Sequence, residues 1–197
     1  MTFSAPQYIP DKTDITLLLG LNETKFEANC NILASQSKFF ETACYTGEFK
    51  EGKEKLIKLP DIPLDIMMKV LAWLYRSEPE LPDDFASSRE STGTILEILG
   101  AADYLQIDNL AKDYAQHFAR KLKQITTFDA TTISNCIKIM NSLYKAGGSI
   151  KKNELLEFLQ AMGSKGRTLL LDSCYSIEEP DGRFFQDLSY AILAVHN

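Results

Sequence analysis

Two serine–lysine spacings are the first candidates for chemistry in this chain. Ser35-Gln36-Ser37-Lys38 and Ser149-Ile150-Lys151-Lys152 both fit Ser-x-x-Lys, in which a lysine amine can activate a serine nucleophile. Neither comes with the Ser-Asp-Asn or Lys-Thr-Gly partners that such a site needs, and helix capping explains Ser37 without chemistry. Gly147-Gly148 and Gly163-Ser164-Lys165-Gly166 offer backbone amides to an anion, yet both lack the spacing of a phosphate loop or a dinucleotide fingerprint. The second run reads as a helix C-cap followed by a turn. His117 has no carboxylate or serine partner in sequence and reads as a surface or boundary residue. Cys30, Cys44, Cys136 and Cys174 form no Cys-x-x-Cys pair, and only His117 and His196 could join them. That set is too sparse for structural zinc. Cys30 and Cys44 occupy apolar positions, as small buried hydrophobes do. No catalytic residue, cofactor site or metal ligand is assigned, and no enzyme is expected.

The chain around these residues is that of an ordinary soluble protein. Of 197 residues, 45% are hydrophobic and 24% charged, a mix that can bury a real core without disulfides or metals. Lys and Arg number 21 against 27 Asp and Glu, a net charge of -6. An acidic surface repels phosphate backbones, so nucleic acid is not an expected partner. The mixed-sign run Lys50-Glu51-Gly52-Lys53-Glu54-Lys55 reads as a solvated loop. No apolar run approaches the roughly 20 residues of a membrane span. Residues 1–13 hold Pro6 and Pro10 and no apolar core, unlike a secretory signal. A cytosolic or nuclear protein with free thiols is expected.

Pro6 and Pro10 make residues 1–12 an extended arm. Asp14 to Leu19 and Lys25 to Cys30 predict two strands of a hairpin, turning at Gly20-Leu21-Asn22-Glu23. Ser37 opens a short helix through Cys44, and Leu56 to Leu59 predict a third strand. In Pro60-Asp61-Ile62-Pro63, Asp61 is the expected cap of a helix presenting Leu64, Met67, Val70, Leu71 and Leu74 on one stripe and stopping before Pro79. Residues 77–94 are polar and long for a loop, with the composition of a mobile insertion. Ile95 to Leu105 is helical, with Gly100, Ala101 and Ala102 permitting close helix packing. Asp108 caps a helix with Leu110, Tyr114, Phe118 and Leu122. Beyond Gln124 the pattern is helical: Ile133, Ile137, Met140 and Tyr144, stopped by Gly147-Gly148; then Leu155, Leu156, Leu159 and Met162, stopped by Gly163. Leu169-Leu170-Leu171 fits helix or strand. A last helix from Pro180-Asp181 buries Phe184, Leu188, Ile192 and Val195. The order is α+β, followed by an all-helical part.

These residues resemble the BTB/POZ domain. Asp14-Ile15-Thr16-Leu17-Leu18 matches its opening strand, and Phe26-Glu27-Ala28-Asn29-Cys30, Leu33-Ala34 and Ser37-Lys38-Phe39-Phe40 match the segments that follow. Gly47-Glu48-Phe49-Lys50-Glu51, Ile57-Lys58-Leu59-Pro60, Leu74-Tyr75 and Ala101 to Ile107 are later landmarks in the right order. The resemblance covers residues 13–123 and implies a small sheet flanked by helices; residues 124–197 form a helical extension like those of many fungal BTB proteins. Two departures stand out. The family's His-Arg/Lys pair is Asn29-Cys30 here, so the charged pocket that an Asp at position 14 shares with a basic residue is incomplete. The short proline-bearing arm also cannot supply the first amphipathic helix of the strand-swapped dimers.

The resemblance implies a protein-interaction module, with cullin-3 of a ubiquitin ligase and a second BTB copy as partners. Phe49-Lys50-Glu51 resembles the hydrophobic-x-Glu motif of cullin-3 adaptors: Phe49 is either an exposed anchor with Glu51 setting register, or a residue packing its own loop. Tyr104 and Gln106 lie in a turn that faces cullin in the family; alternatively Tyr104 is a core residue with its hydroxyl at the surface. The helical tail would recruit a target protein, which the sequence leaves unknown. A self-association scaffold without ligase activity, and an adaptor of the Skp or elongin C kind, are the competing readings.

Overall fold

The computed structural model describes residues 13–45, 53–76, 79 and 81–195, without the side chains of Arg76 and Lys165. The expected arm at 1–12, Phe49, Glu51 and His196 lie outside the described residues. The described chain forms two compact units, one of residues before 78 with Ala101–Leu110, the other of Pro79–Gly100 with the residues from Ala111 onward.

The first unit is built on three strands in the order β2-β1-β3: β1 (Ile15–Leu19), β2 (Thr24–Ala28) and β3 (Leu56–Leu59). β1 pairs antiparallel with β2, with Leu17 opposite Phe26, and parallel with β3, with Leu17 opposite Ile57. As the central strand it has neighbours on both sides, and Ile15, Leu17, Leu18 and Leu19 are all buried. The hairpin turn uses left-handed backbone at Gly20 (φ 64°) and Glu23 (φ 49°), and the Gly20 N–H donates to the Leu59 carbonyl at 3.0 Å. The parallel return to β3 requires a crossover. Helices α1 (Cys30–Gln36) and α2 (Lys38–Tyr45) lie within it.

The second strand ends at Ala28, so Cys30 is not its last inward residue but the first residue of α1. Asn29 decides this. Its Oδ1 accepts from the Ile32 N–H at 3.2 Å, its own N–H donates to the Tyr75 hydroxyl at 3.0 Å, and the Cys30 N–H donates to Asp14 Oδ1 at 2.7 Å. Asp14 thus helps satisfy the orphan donors of a helix N-terminus in a chain with no basic residue at position 30.

Helix α3 (Leu64–Arg76) buries Ile66, Met67, Val70, Leu71, Trp73 and Leu74. Two details differ from expectation. Pro63, not Asp61, stands at the boundary, its carbonyl accepting from the Met67 N–H at 2.9 Å. Leu64 is exposed, because the apolar stripe begins two residues later at Ile66.

The polar stretch at 77–94 is not simply an insertion. Helix α4 (Arg89–Tyr104) begins inside it, the Ser88 hydroxyl accepts from the Ser91 N–H at 3.2 Å, and Phe85, Ala86 and Thr92 are buried. Asn135 Nδ2 donates to the Ala86 carbonyl at 2.8 Å, fixing the turn ahead of the helix. Gly100 is exposed and a Cβ there would meet nothing within 4 Å, so it serves no close packing; Ala101 and Ala102 are buried. Helix α5 (Asp108–Leu122) has Asp108 as its first residue and buries Leu110, Tyr114, Phe118 and Leu122. His117 is half-buried, a boundary residue as read from sequence.

Beyond residue 124 the described chain contains helices α6 (Ala130–Lys145), α7 (Lys152–Tyr175) and α8 (Gly182–Val195), each touching the other two. Asp129 caps α6, accepting from the Thr132 N–H at 2.7 Å, a bond that holds its carboxyl below the usual range. Gly147, at φ 85°, ends the helix: its N–H reaches the Tyr144 carbonyl and the Gly148 N–H the Leu143 carbonyl, a Schellman motif. Gly163, at φ 65°, interrupts α7, but the chain resumes as helix, which decides Leu169-Leu170-Leu171 in favour of helix. Asp181 caps α8 through the Arg183 and Phe184 amides at 2.9 and 3.1 Å. Phe184, Leu188 and Ala191 are its buried residues; Ile192 and Val195 are only half-buried, because Ala191 occupies the inward position of the last turn.

Candidate interaction site

In the first unit, the start of α2 is bonded to the turn that ends α4. Ser37 is 1% exposed. Its hydroxyl accepts from the Phe40 N–H at 3.1 Å, capping α2, and donates to the Leu105 carbonyl at 2.6 Å. The Lys38 N–H reaches the Gln106 carbonyl at 3.4 Å. Ser37 therefore has a structural role, and Ser35, the serine three residues before Lys38, donates its hydroxyl to the Ile32 carbonyl at 2.8 Å.

The turn has its own geometry. The Ile107 N–H donates to the Ala102 carbonyl at 2.8 Å and the Gln106 N–H to the Asp103 carbonyl at 3.0 Å. This is a Schellman ending with Gln106 at the left-handed position, φ 53°, and Ile107 as the buried residue behind it. A non-glycine residue there carries a steric cost from its Cβ. The motif throws Tyr104 and Gln106 to the outside: Tyr104 is 56% exposed, and Gln106 is exposed beside it. The expectation of Tyr104 as a core residue is thus corrected; Leu105 and Ile107 take the inward positions.

Tyr104 rests on α2. Its ring lies 5.6 Å from that of Phe39 on α2, and Phe39 contacts Phe40 edge-on at 5.4 Å. Phe40 is buried and Phe39 half-buried. The result is an aromatic ledge, anchored in the core at Phe40 and open to solvent at Tyr104. Phe39 belongs to this surface although sequence reasoning did not select it; consecutive phenylalanines on a short helix, one facing in, were the available signal. A rigid aromatic with a neighbouring amide suits protein recognition, giving apolar area at low entropic cost.

No group of three or more His, Cys, Asp or Glu side chains that could hold a metal occurs among the described residues. The thiols are poor nucleophiles: burial pushes Cys136 up to about 12 and Cys174 to about 11, and burial together with the neighbouring Cys44 pushes Cys30 up to about 12. No helix among the described residues is long and apolar enough to cross a membrane.

Residues 7–122 match the BTB/POZ domain, and the chain belongs to that family. The BTB/POZ domain is a protein-interaction domain, and the three-stranded sheet with its helices and helical extension is consistent with this fold. Kelch-like protein 40 of Xenopus tropicalis and Kelch-like protein 40 of Xenopus laevis are each 26% identical to this chain over 125 residues. The similarity covers 64% of this chain but only 17% of each relative.

Proposed function

We propose that the protein is a substrate adaptor that docks cullin-3 of a ubiquitin ligase through its BTB portion. The observation that carries this reading is the aromatic ledge of Phe39 and Tyr104 beside Gln106, in a BTB chain with Kelch-like relatives. Phe49 and Glu51 supply the rest of the contact, Phe49 as apolar anchor and Glu51 as the charge fixing register. Residues 13–123 form the docking part and residues 124–197 the part that holds a target protein. The BTB portion also self-associates. Cytosol or nucleus, where thiols stay reduced, is the compartment that fits four free cysteines.

Binding of the purified chain to the N-terminal region of cullin-3, followed by calorimetry, tests the proposal. Burying one aromatic side chain contributes roughly 1.5–3 kcal/mol, so Phe49→Ala and Tyr104→Ala should each weaken binding by about one to two orders of magnitude. Neither should alter the unfolding midpoint substantially. Wild-type protein that shows no binding at high micromolar concentration would remove the adaptor reading and leave self-association as the function.

A further inference from the structure

The helical second unit contains a cleft that the docking proposal does not use. It has a volume of about 400 Å³ and lies between α6 and the link from α7 to α8. Lys138, Asn141 and Lys145, spaced three and four apart on α6, form one wall; Ser176, Glu178 and Glu179 form the other. On a helix that is otherwise mostly buried, Lys138 and Lys145 are exposed and face the cleft. Asn141 pins the link across it, Nδ2 donating to the Glu179 carbonyl at 3.2 Å and Oδ1 accepting from the Asp181 N–H at 2.8 Å. Lys145 pairs with Glu179 at 3.1 Å.

Ser176 lines this cleft. It is the C-cap of α7, exposed, and its hydroxyl donates to the Ser173 carbonyl at 2.7 Å. The residues after it are Ile177, Glu178 and Glu179, which place carboxylates two and three positions beyond the hydroxyl. We propose that Ser176 is a phosphorylation site for an acid-directed serine kinase, and that Lys138 and Lys145 hold the resulting phosphate. The hydroxyl oxygen attacks the γ-phosphorus of ATP, the bond to the bridging oxygen breaks, ADP leaves, and the hydroxyl proton passes to the kinase's catalytic carboxylate. Ser142 also lines the cleft, but it lies within the last turn of α6, its carbonyl accepting from the Ala146 N–H at 3.0 Å, and helical backbone cannot extend into a kinase groove.

Two opposing effects act on the phosphate. The C-terminus of α7 and the two glutamates repel a dianion, while two full positive charges on α6 attract it. The α7 end carries only a partial charge, and the pairing of Lys145 with Glu179 offsets one of the glutamates at the expense of part of that lysine's pull on the phosphate. The phosphate would share Lys145 with Glu179 and take Lys138, tying the α7–α8 link more firmly to α6.

The test treats the purified full chain with ATP and a casein-type acid-directed kinase, maps the phosphate by mass spectrometry and titrates it by phosphorus NMR. The expected result is one phosphate on Ser176, absent in Ser176→Ala. Its second ionisation should lie about half a pH unit or more below that of a phosphopeptide spanning residues 174–180, because nearby cations favour the dianion. Lys138→Gln with Lys145→Gln should return it to the peptide value. Failure to modify Ser176, a titration equal to the peptide's, or one unchanged by the lysine substitutions would each overturn the assignment.

Discussion

The Ser37 hydroxyl donates to the Leu105 carbonyl at 2.6 Å across 68 residues of chain, and with the Lys38 N–H on the Gln106 carbonyl this bond ties the start of α2 to the turn that carries Tyr104 and Gln106. The same oxygen caps α2 through the Phe40 amide. Ser37→Ala removes both functions and leaves a buried carbonyl without its donor. A cap is worth about 1 kcal/mol and an orphaned buried acceptor about 1–3. Urea unfolding should show a loss of about 2 kcal/mol, and Ser37→Thr should recover part of it.

Gln106→Gly separates stability from recognition. Gln106 holds a left-handed backbone that glycine adopts freely, so removing its Cβ should relieve about 1 kcal/mol, offset in part by the greater freedom of the unfolded chain. The unfolding midpoint should hold or rise. Cullin-3 binding should nevertheless weaken if the Gln106 side chain makes a contact, and calorimetry on the same sample reads both.

Gly148→Ala should be among the most damaging small substitutions in the chain. A Cβ at that position would lie 2.8 Å from the Ala111 carbonyl oxygen and 3.0 Å from that of Leu143. Both neighbours are backbone, so neither can swing aside as a side chain would. A loss of about 2–3 kcal/mol is expected, in the range of overpacked cores. Gly100→Ala is the control: nothing lies within 4 Å there, and alanine is the better helix former, so it should stabilise slightly.

Stability should fall on the alkaline side. Cys30, Cys136 and Cys174 have their proton affinity raised in the folded state from an ordinary 9.0, to about 12, about 12 and about 11. Between those values the unfolded chain has lost protons that the folded chain keeps, so raising the pH favours unfolding. Their contribution is fully present below pH 9 and is lost progressively towards pH 12. Denaturation midpoints measured from pH 7 to pH 11 should decline from about pH 9. A triple Cys→Ala or Cys→Ser variant that folds should show a flatter curve.

Much of the architecture was readable from local pattern, because strands and helices announce their apolar periods residue by residue. The apolar run of Ile15 to Leu19, the stripe of Ile133, Ile137, Met140 and Tyr144, and the stop at Gly147-Gly148 each depend on neighbours within one element, so the sequence alone determined them. The BTB order of landmarks was likewise carried by spacing along the chain. Several misreadings share one physical cause: they concern residues whose role is set by partners remote in sequence. Asn29 ends a strand and starts a helix because Tyr75 and Asp14 meet the amides there. Phe85 and Ala86 are buried in a polar stretch, and Asn135, 49 residues away, bonds the Ala86 carbonyl. Tyr104 and Gln106 face solvent because the left-handed turn at Gln106 buries Leu105 and Ile107 instead, and no glycine marks that turn. The sequence pointed to Tyr104 and Gln106 but not to Phe39; only the tertiary structure set Tyr104 against Phe39, because the bonds from Ser37 and Lys38 to the turn join segments that the chain itself keeps far apart.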